Sequence, residues 1–258
     1  MYNGKRVIVS MTSWERRIKG DTPILFTALD SLVGQECLDE IVLNLSVEEF
    51  PNKHRDLPKQ IKDYKNLNVY FVNGNTKAFK KLIPTLNQPK YQDCIVFTCD
   101  DDVVYPNGII KEALSNYHIG YAPTCFNVPP THNWGNGKLS IYEYKYFGKA
   151  LNLFERQEIW QTNNDDVAYG FLMLLNGYKY THKHLSMFEN VRNLDYKNDL
   201  HNNNGYNIMQ DYMFMEKYIM NRFGLVVGEL VRNEKGMFAV KYDYEHRENN
   251  DKTNKLNE

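Results

Sequence analysis

The sequence predicts an α/β fold with a mostly parallel sheet. Over the first hundred residues, short β-branched runs alternate with stretches that carry apolar residues at helical spacing. That alternation is the signature of βαβ units. Three aspartates, Asp100, Asp101 and Asp102, directly follow the fourth β-branched run. Open α/β sheets bind ligands beyond the carboxyl ends of their strands, so this acidic cluster marks the candidate site.

Residues 6–11 (RVIVSM) read as the first buried strand. Residues 23–32 place Ile24, Leu25, Ala28, Leu29 and Leu32 at helical spacing, with Asp21 or Thr22 as cap, Pro23 in the first turn and Gly34 past the end. Residues 40–45 (EIVLNL) are the second strand and 68–72 (NVYFV) the third, with a short helix over 58–64 between them. Residues 77–86 have a helical pattern that Pro84 must kink or shorten. Residues 94–99 (CIVFTC) are the fourth strand, and a helix follows over 106–117 with Pro106 in its first turn.

The second half is less regular. Residues 119–164 are rich in Tyr, Asn, Gly and Pro and predict no definite element. Residues 165–176 (DDVAYGFLMLLN) form a helix with an apolar stripe at Val167, Phe171, Leu174 and Leu175, stopped by Gly177. Residues 202–206 (NNNGY) signal a loop, 208–223 a further helix stopped by Gly224, and 225–231 a late strand. From Lys241 the chain is almost wholly polar and reads as a disordered tail, 241–258. The expected organisation is one domain over 1–240, with a ligand-binding half over 1–118 and a less regular half over 119–240. No internal repeat is present.

Lysine plus arginine (31) nearly cancel aspartate plus glutamate (32), for a net charge of −1. Nucleic-acid binders show a basic excess or stripe, and its absence argues against that class. Cys37, Cys94, Cys99 and Cys125 form no C-x-x-C pair and read as reduced thiols. The N-terminal apolar run is a strand; a signal peptide has a longer apolar core and a small-residue cleavage site. No stretch approaches the ~20 apolar residues of a membrane span. The expectation is a soluble, cytoplasmic protein, with peripheral contact at the inner face of the membrane left open.

Three adjacent carboxylates repel one another unless a cation offsets their charge. Carboxylate oxygens are the ligands that Mg²⁺, Mn²⁺ and Ca²⁺ prefer. Side chains alternate along an extended segment, which puts Asp100 and Asp102 on one side and Asp101 on the other. That spacing suits Mn²⁺ or Mg²⁺ held by Asp100 and Asp102 and bridging a diphosphate, where it neutralises charge on the leaving group. The plainer reading is an acidic turn capping the helix near Pro106.

At this point the chain resembles a known family. VFTCDDDVVYP is similar to the metal-binding D-x-D segment of bacterial GT-A glycosyltransferases that build surface polysaccharides. VSMTSWERRI resembles the family's opening V-S-x-T-S-[YW]-x-x-R-I. FKKLIPTL resembles its Y-K-K-L-I-P-x-L stretch, and NDDVAYGFLMLLNGYK its D-D-x-W-x-x-x-M-x-x-x-G segment. The D-x-D alone is unspecific; four segments in matching order and spacing, over about residues 5–215, are specific. The resemblance implies a GT-A fold, with the nucleotide-sugar half first and the acceptor-side half second. It implies a metal-dependent glycosyltransferase moving a sugar from a nucleotide donor, UDP-linked by expectation, to a glycan or lipid-linked glycan. Thr12, Ser13 and Arg17 would fall where the family holds the nucleotide, with turn capping and a solvated charge as their plainer roles. Of the paired lysines, Lys81 would reach the diphosphate and Lys80 would face solvent. Asp100 and Asp101 join this donor set.

The resemblance also implies that Asp165 and Asp166 supply the catalytic base of an inverting enzyme. One aspartate suffices as an N-cap, and two leave one to explain. Asp166 is the candidate base and Asp165 the cap or acceptor anchor. The family carries a Gly-Gly pair upstream of this motif, whereas the matching stretch here has only Gly148. His182, His184 or His201 is a candidate further metal ligand, with ordinary surface histidines as the plainer reading. Trp134, Trp160, Tyr142, Tyr144 and Tyr146 are candidates for stacking on sugar rings, although most such residues are core. Two other classes compete. A metal-dependent nucleotidyltransferase usually has a Gly-rich basic loop after the first strand, and TSWERRIKG lacks a second glycine. A calcium-dependent sugar-binding module would be expected to be secreted.

Overall fold

The computed structural model describes residues 1–20, 23–128, 135, 138–155, 159–162, 164–195, 208–223, 230–232 and 238–240. Asp21, Thr22, Trp134, His201, the 202–206 loop and the 241–258 tail lie outside these residues.

The four strands expected in the first half form the centre of a seven-stranded sheet: β1 (Val7–Thr12), β2 (Glu40–Ser46), β3 (Leu67–Val72) and β4 (Ile95–Cys99). They pair in parallel in the order β3-β2-β1-β4. A strand covered on both faces needs apolar residues at successive positions, which is why β1, β2 and β4 read as continuous apolar runs. Val7, Ile8, Val9, Ile41, Val42, Ile95 and Val96 are all fully buried.

The unassigned stretch supplies the rest of the sheet. β7 (Leu139–Tyr142) pairs antiparallel with β4, β6 (Thr124–Phe126) antiparallel with β7, and β8 (Thr181–Lys183) parallel with β6. Only β7 therefore runs against the others, and the carboxyl ends of six strands share one edge. Two short ribbons complete the strands: β5 (Val103–Val104) with β9 (Arg192–Asn193), and β10 (Leu230–Arg232) with β11 (Phe238–Val240). Of the late strand expected over 225–231, only its end is described, in β10.

The helices are α1 (Glu15–Lys19), α2 (Ile24–Leu32), α3 (Ile83–Leu86), α4 (Ile109–Ser115), α5 (Asp165–Leu175) and α6 (Ile208–Phe223). None of the described helices is long and apolar enough to cross a membrane. α1 was not legible in the sequence, being only five residues long. The helix expected over 58–64 is a 3₁₀ turn, Lys59–Asp63. The pattern over 77–86 splits into a 3₁₀ turn, Lys77–Lys81, and α3, because Pro84 fits only in a first helical turn. The helix expected from Pro106 begins at Ile109, after Gly108 at φ 92°, a conformation that ends the preceding turn. α5 shows more than a stripe: every residue from Asp165 to Leu175 is buried. α6 covers its outer side, where the rings of Phe171 and Tyr212 lie 4.8 Å apart.

A buried polar knot fixes the floor beneath the carboxyl edge. Ser10 Oγ donates to the Lys81 carbonyl at 2.5 Å and shares a hydrogen bond with Thr85 Oγ1 at 2.6 Å. Asn44 Nδ2 donates to the same Thr85 oxygen at 2.9 Å. The segment carrying Lys81 is thereby tied to β1 and β2.

Candidate active site

β1 ends at Thr12, and the chain turns through Ser13 and Trp14 into α1, which carries Arg17. β4 ends at Cys99, and Asp100, Asp101 and Asp102 make the turn into β5. β1 and β4 are neighbours in register, so the two strand ends lie side by side. Asp101 is buried, while Asp100 and Asp102 are half-buried, which agrees with alternation. Arg17 nevertheless reaches both kinds of position. Its Nη1 pairs with Asp101 and its Nη2 with Asp102 Oδ2 at 2.7 Å, while Nε donates to Asp195 Oδ2 at 3.4 Å. Ser13 Oγ donates to Asp101, and Thr12 Oγ1 donates to the Asn44 carbonyl at 2.7 Å. Tyr105 buttresses the turn: its hydroxyl accepts from the Asp100 N–H at 2.8 Å and donates to the Lys138 carbonyl at 2.6 Å.

Lys81 joins this turn to the second acidic motif. Its Nζ lies 2.6 Å from Asp100 Oδ1 and 3.6 Å from Asp165 Oδ2. The N-cap of α5 is Asn164, whose side chain accepts from the Val167 N–H at 3.1 Å. The cap expected of Asp165 is thus supplied by its neighbour, because Asn caps as well as Asp and stands one position earlier. Both carboxylates are left over, and both are buried. Asp166 faces a polar pocket in which the Tyr142 and Tyr180 hydroxyls share a 2.6 Å hydrogen bond. Gly135 closes that pocket. A Cβ at Gly135 would stand within 3 Å of Asp166 Oδ1 and of both tyrosine hydroxyls, so no side chain fits there.

Charge in this site is unbalanced. Among the described residues, the cations Arg17 and Lys81 face six carboxyls: Asp100, Asp101, Asp102, Asp165, Asp166 and Asp195. Burial, then the charge of Asp100, pushes Asp102 up to about 7 despite Arg17. Burial holds Asp101 above the usual carboxylate range, against Arg17 and Ser13. Burial and the neighbouring Asp165 push Asp166 well above that range, with Lys81 opposing. Burial works against the charge on Lys81, but Asp100, Asp165 and Asp166 outweigh it and keep the ammonium firmly protonated.

The chain matches no protein-family model and no curated protein. Its backbone is similar to that of a 4-diphosphocytidyl-2C-methyl-D-erythritol synthase from Anaerococcus prevotii, with a TM-score of 0.48 and 13% identity over 84% of this chain and 97% of that one. It is also similar to a 2-C-methyl-D-erythritol 4-phosphate cytidylyltransferase from Francisella tularensis, with a TM-score of 0.45 and 14% identity over 70% and 90% of the two chains. The glycosyltransferase GlyE of Streptococcus pneumoniae gives a TM-score of 0.45 and 14% identity, over 70% of this chain and 45% of that one. The assignment to the α/β class rests on the strand order and helices described above.

The donor chemistry suits a hard divalent cation. Asp100 Oδ2 and Asp102 Oδ1 take no protein hydrogen-bond donor among the described residues. No three His, Cys, Asp or Glu side chains among those residues are arranged to hold a metal by themselves. Two carboxylates with the remaining positions filled by phosphate and water is the usual Mg²⁺ arrangement.

Several residues sit elsewhere than expected. Lys80, expected at the surface, is buried between Asn75 and Glu49. In a 3₁₀ turn successive side chains point about 120° apart, so Lys80 and Lys81 face different partners. His182 on β8 approaches Cys125 Sγ at 3.2 Å through Nδ1, and His184 is exposed. Tyr142 and Tyr146 are fully buried, hence core rather than stacking surfaces, and Tyr144 packs against the core. Asp195, Tyr105 and Asn164 carry no local signal in the sequence: each is a single polar residue whose role depends on a partner distant in sequence or on a one-residue shift in a helix start.

Proposed function

We propose that this chain is a divalent-metal-dependent GT-A glycosyltransferase. On this reading it moves a sugar from a UDP-type nucleotide donor to a glycan or lipid-linked glycan acceptor, of the kind used in surface polysaccharide synthesis, with inversion. The observation that carries it is the meeting of two acidic motifs, from the ends of β4 and the start of α5, around the single ammonium of Lys81.

A cation on Asp100 and Asp102 would stabilise the charge growing on the departing diphosphate. The protein's own groups do the rest. Arg17 and Lys81 hold the acidic turn in place and offer N–H donors to phosphate oxygens. Thr12 and Ser13 shape the floor of the donor site at the end of β1, and Asp101 holds Ser13 and Arg17 there. Asp166 takes the proton of the acceptor hydroxyl as its oxygen bonds to the anomeric carbon. The bond from that carbon to the phosphate oxygen breaks, and the nucleoside diphosphate leaves with the electron pair. A base whose conjugate acid titrates near working pH serves this step best, and burial beside Asp165 moves Asp166 in that direction. Asp165 then orients the acceptor.

The test is thermal shift with UDP plus Mn²⁺, UDP alone and Ca²⁺ alone, followed by slow hydrolysis across a panel of nucleotide sugars. Stabilisation by UDP only with Mn²⁺ or Mg²⁺, and hydrolysis of one donor, is expected. Full activity in excess EDTA would overturn the metal dependence, and net retention of anomeric configuration by NMR would overturn the role of Asp166.

A further inference from the structure

A cavity of about 420 Å³ opens at the outer edge of the sheet, where β3 ends. This volume lies within the range of small-molecule sites. Tyr70, Phe71 and Trp160 wall it with aromatic surface, and Asn73, Asn87 and Gln88 line it with amides. Among the described residues, no Asp, Glu, Lys, Arg or His lines it, in contrast to the acidic site.

We propose that this cavity binds an uncharged sugar unit of a glycan chain. A nucleotide needs cations or a metal for its phosphates, and the described residues of the lining offer neither. A lipid tail would set the amides of Asn73 and Asn87 against hydrocarbon that offers them no hydrogen bond, which is unfavourable. A pyranose ring meets both kinds of wall: its C–H face lies on an aromatic plane and its hydroxyls bond to amides.

The cavity is also joined to the acid pair through the fold. Phe79 lines it, and its ring packs edge-on against Tyr169 of α5, with centroids 6.0 Å apart. The Tyr169 hydroxyl donates to the Phe79 carbonyl at 3.3 Å. α5 opens with Asp165 and Asp166, and Trp160 precedes them by only a few residues. Phe79 and Tyr169 thus link the cavity wall to the helix that carries the candidate base. A glycan held there would be the acceptor chain, anchored away from its reacting end. That role rests on the transferase reading; the binding does not.

The experiment uses the whole chain and titrates maltohexaose, cellohexaose and chitohexaose by calorimetry, with and without UDP plus Mn²⁺. It is repeated with Trp160→Ala and with Asn87→Ala. The latter changes an exposed side chain, so it keeps the test informative if Trp160→Ala fails to fold. We expect at least one hexasaccharide to bind saturably. Trp160→Ala should weaken it about tenfold or more, the scale of a lost aromatic contact, and Asn87→Ala should weaken it several-fold. The UDP plus Mn²⁺ shift should stay unchanged in both variants, so a failure of the nucleotide reading is seen separately. Lack of binding by all three sugars overturns the proposal. So does equal binding by wild type and both variants, or occupancy only by a dodecyl-chain detergent below its micelle concentration.

Discussion

Asp102 and Asp166 are acids held in conflict with their surroundings. An acid whose folded pKa is raised keeps its proton in the native state after the unfolded chain has lost it. Its contribution to stability therefore falls as pH rises through that window. For Asp102 the window runs from about 4, the ordinary value, to about 7. Asp102→Asn keeps a bond to Arg17 and removes the titration. It should raise the melting temperature of the metal-free protein at pH 8, leave it nearly unchanged at pH 4, and abolish nucleotide binding that depends on metal. Equal melting shifts at both pH values would contradict this. Asp166→Asn follows the same logic at a different step. It should stabilise the protein at pH 8 while lowering turnover about 10²–10⁴-fold, with UDP affinity unchanged. A structural aspartate would show the reverse, a loss of stability and little specific loss of rate. Steady-state kinetics beside a melting curve separates the two.

At the scale of elements, the start of α5 carries the argument. Asn164 satisfies the Val167 N–H, so the aspartates that follow are free of capping duty. Asn164→Ala should cost about 1 kcal/mol of stability and disturb the acid pair's placement, whereas Asn164→Asp should be nearly neutral for folding. Chemical denaturation measures both; equal losses in the two variants would remove the cap. Elements buried on both faces were the legible ones. β1, β2 and β4 announce themselves because both their faces are buried, which favours runs of Val, Ile and Leu. β6, β7 and β8 have three or four residues each, and α1 has five, too few for a period to show. In the site, Asp100, Asp101 and Asp102 were visible as a cluster at a strand end. Arg17 and Asp195 are 178 positions apart, and nothing local in either segment points to the other.

For the whole molecule, Lys81 is the meeting point of three parts of the fold: the 77–81 turn, the end of β4 and the start of α5. It is buried, and three carboxylates depend on its charge. Lys81→Met keeps the volume and removes the cation. Leaving buried charges without their partner costs about 3–5 kcal/mol near neutral pH. The loss should shrink as pH falls toward 5, because Asp166, already raised by burial and Asp165 and no longer opposed by the ammonium, then holds its proton. Denaturation at pH 5 and 8 measures this, and a pH-independent loss would mean that Lys81 acts only by packing.

The knot of Ser10, Asn44 and Thr85 beneath Lys81 bears on how this sequence can drift. Each of the three is an oxygen or amide whose partner is one of the others or the Lys81 backbone. Replacing one alone strands a buried polar atom, while replacing all with apolar groups of like shape is far milder. The three positions are therefore bound to change together or to stay, because each single replacement leaves a buried polar atom of a neighbour without its partner. Relatives that keep the acidic turn should differ widely in their surface loops and agree in this small, chemically silent triplet.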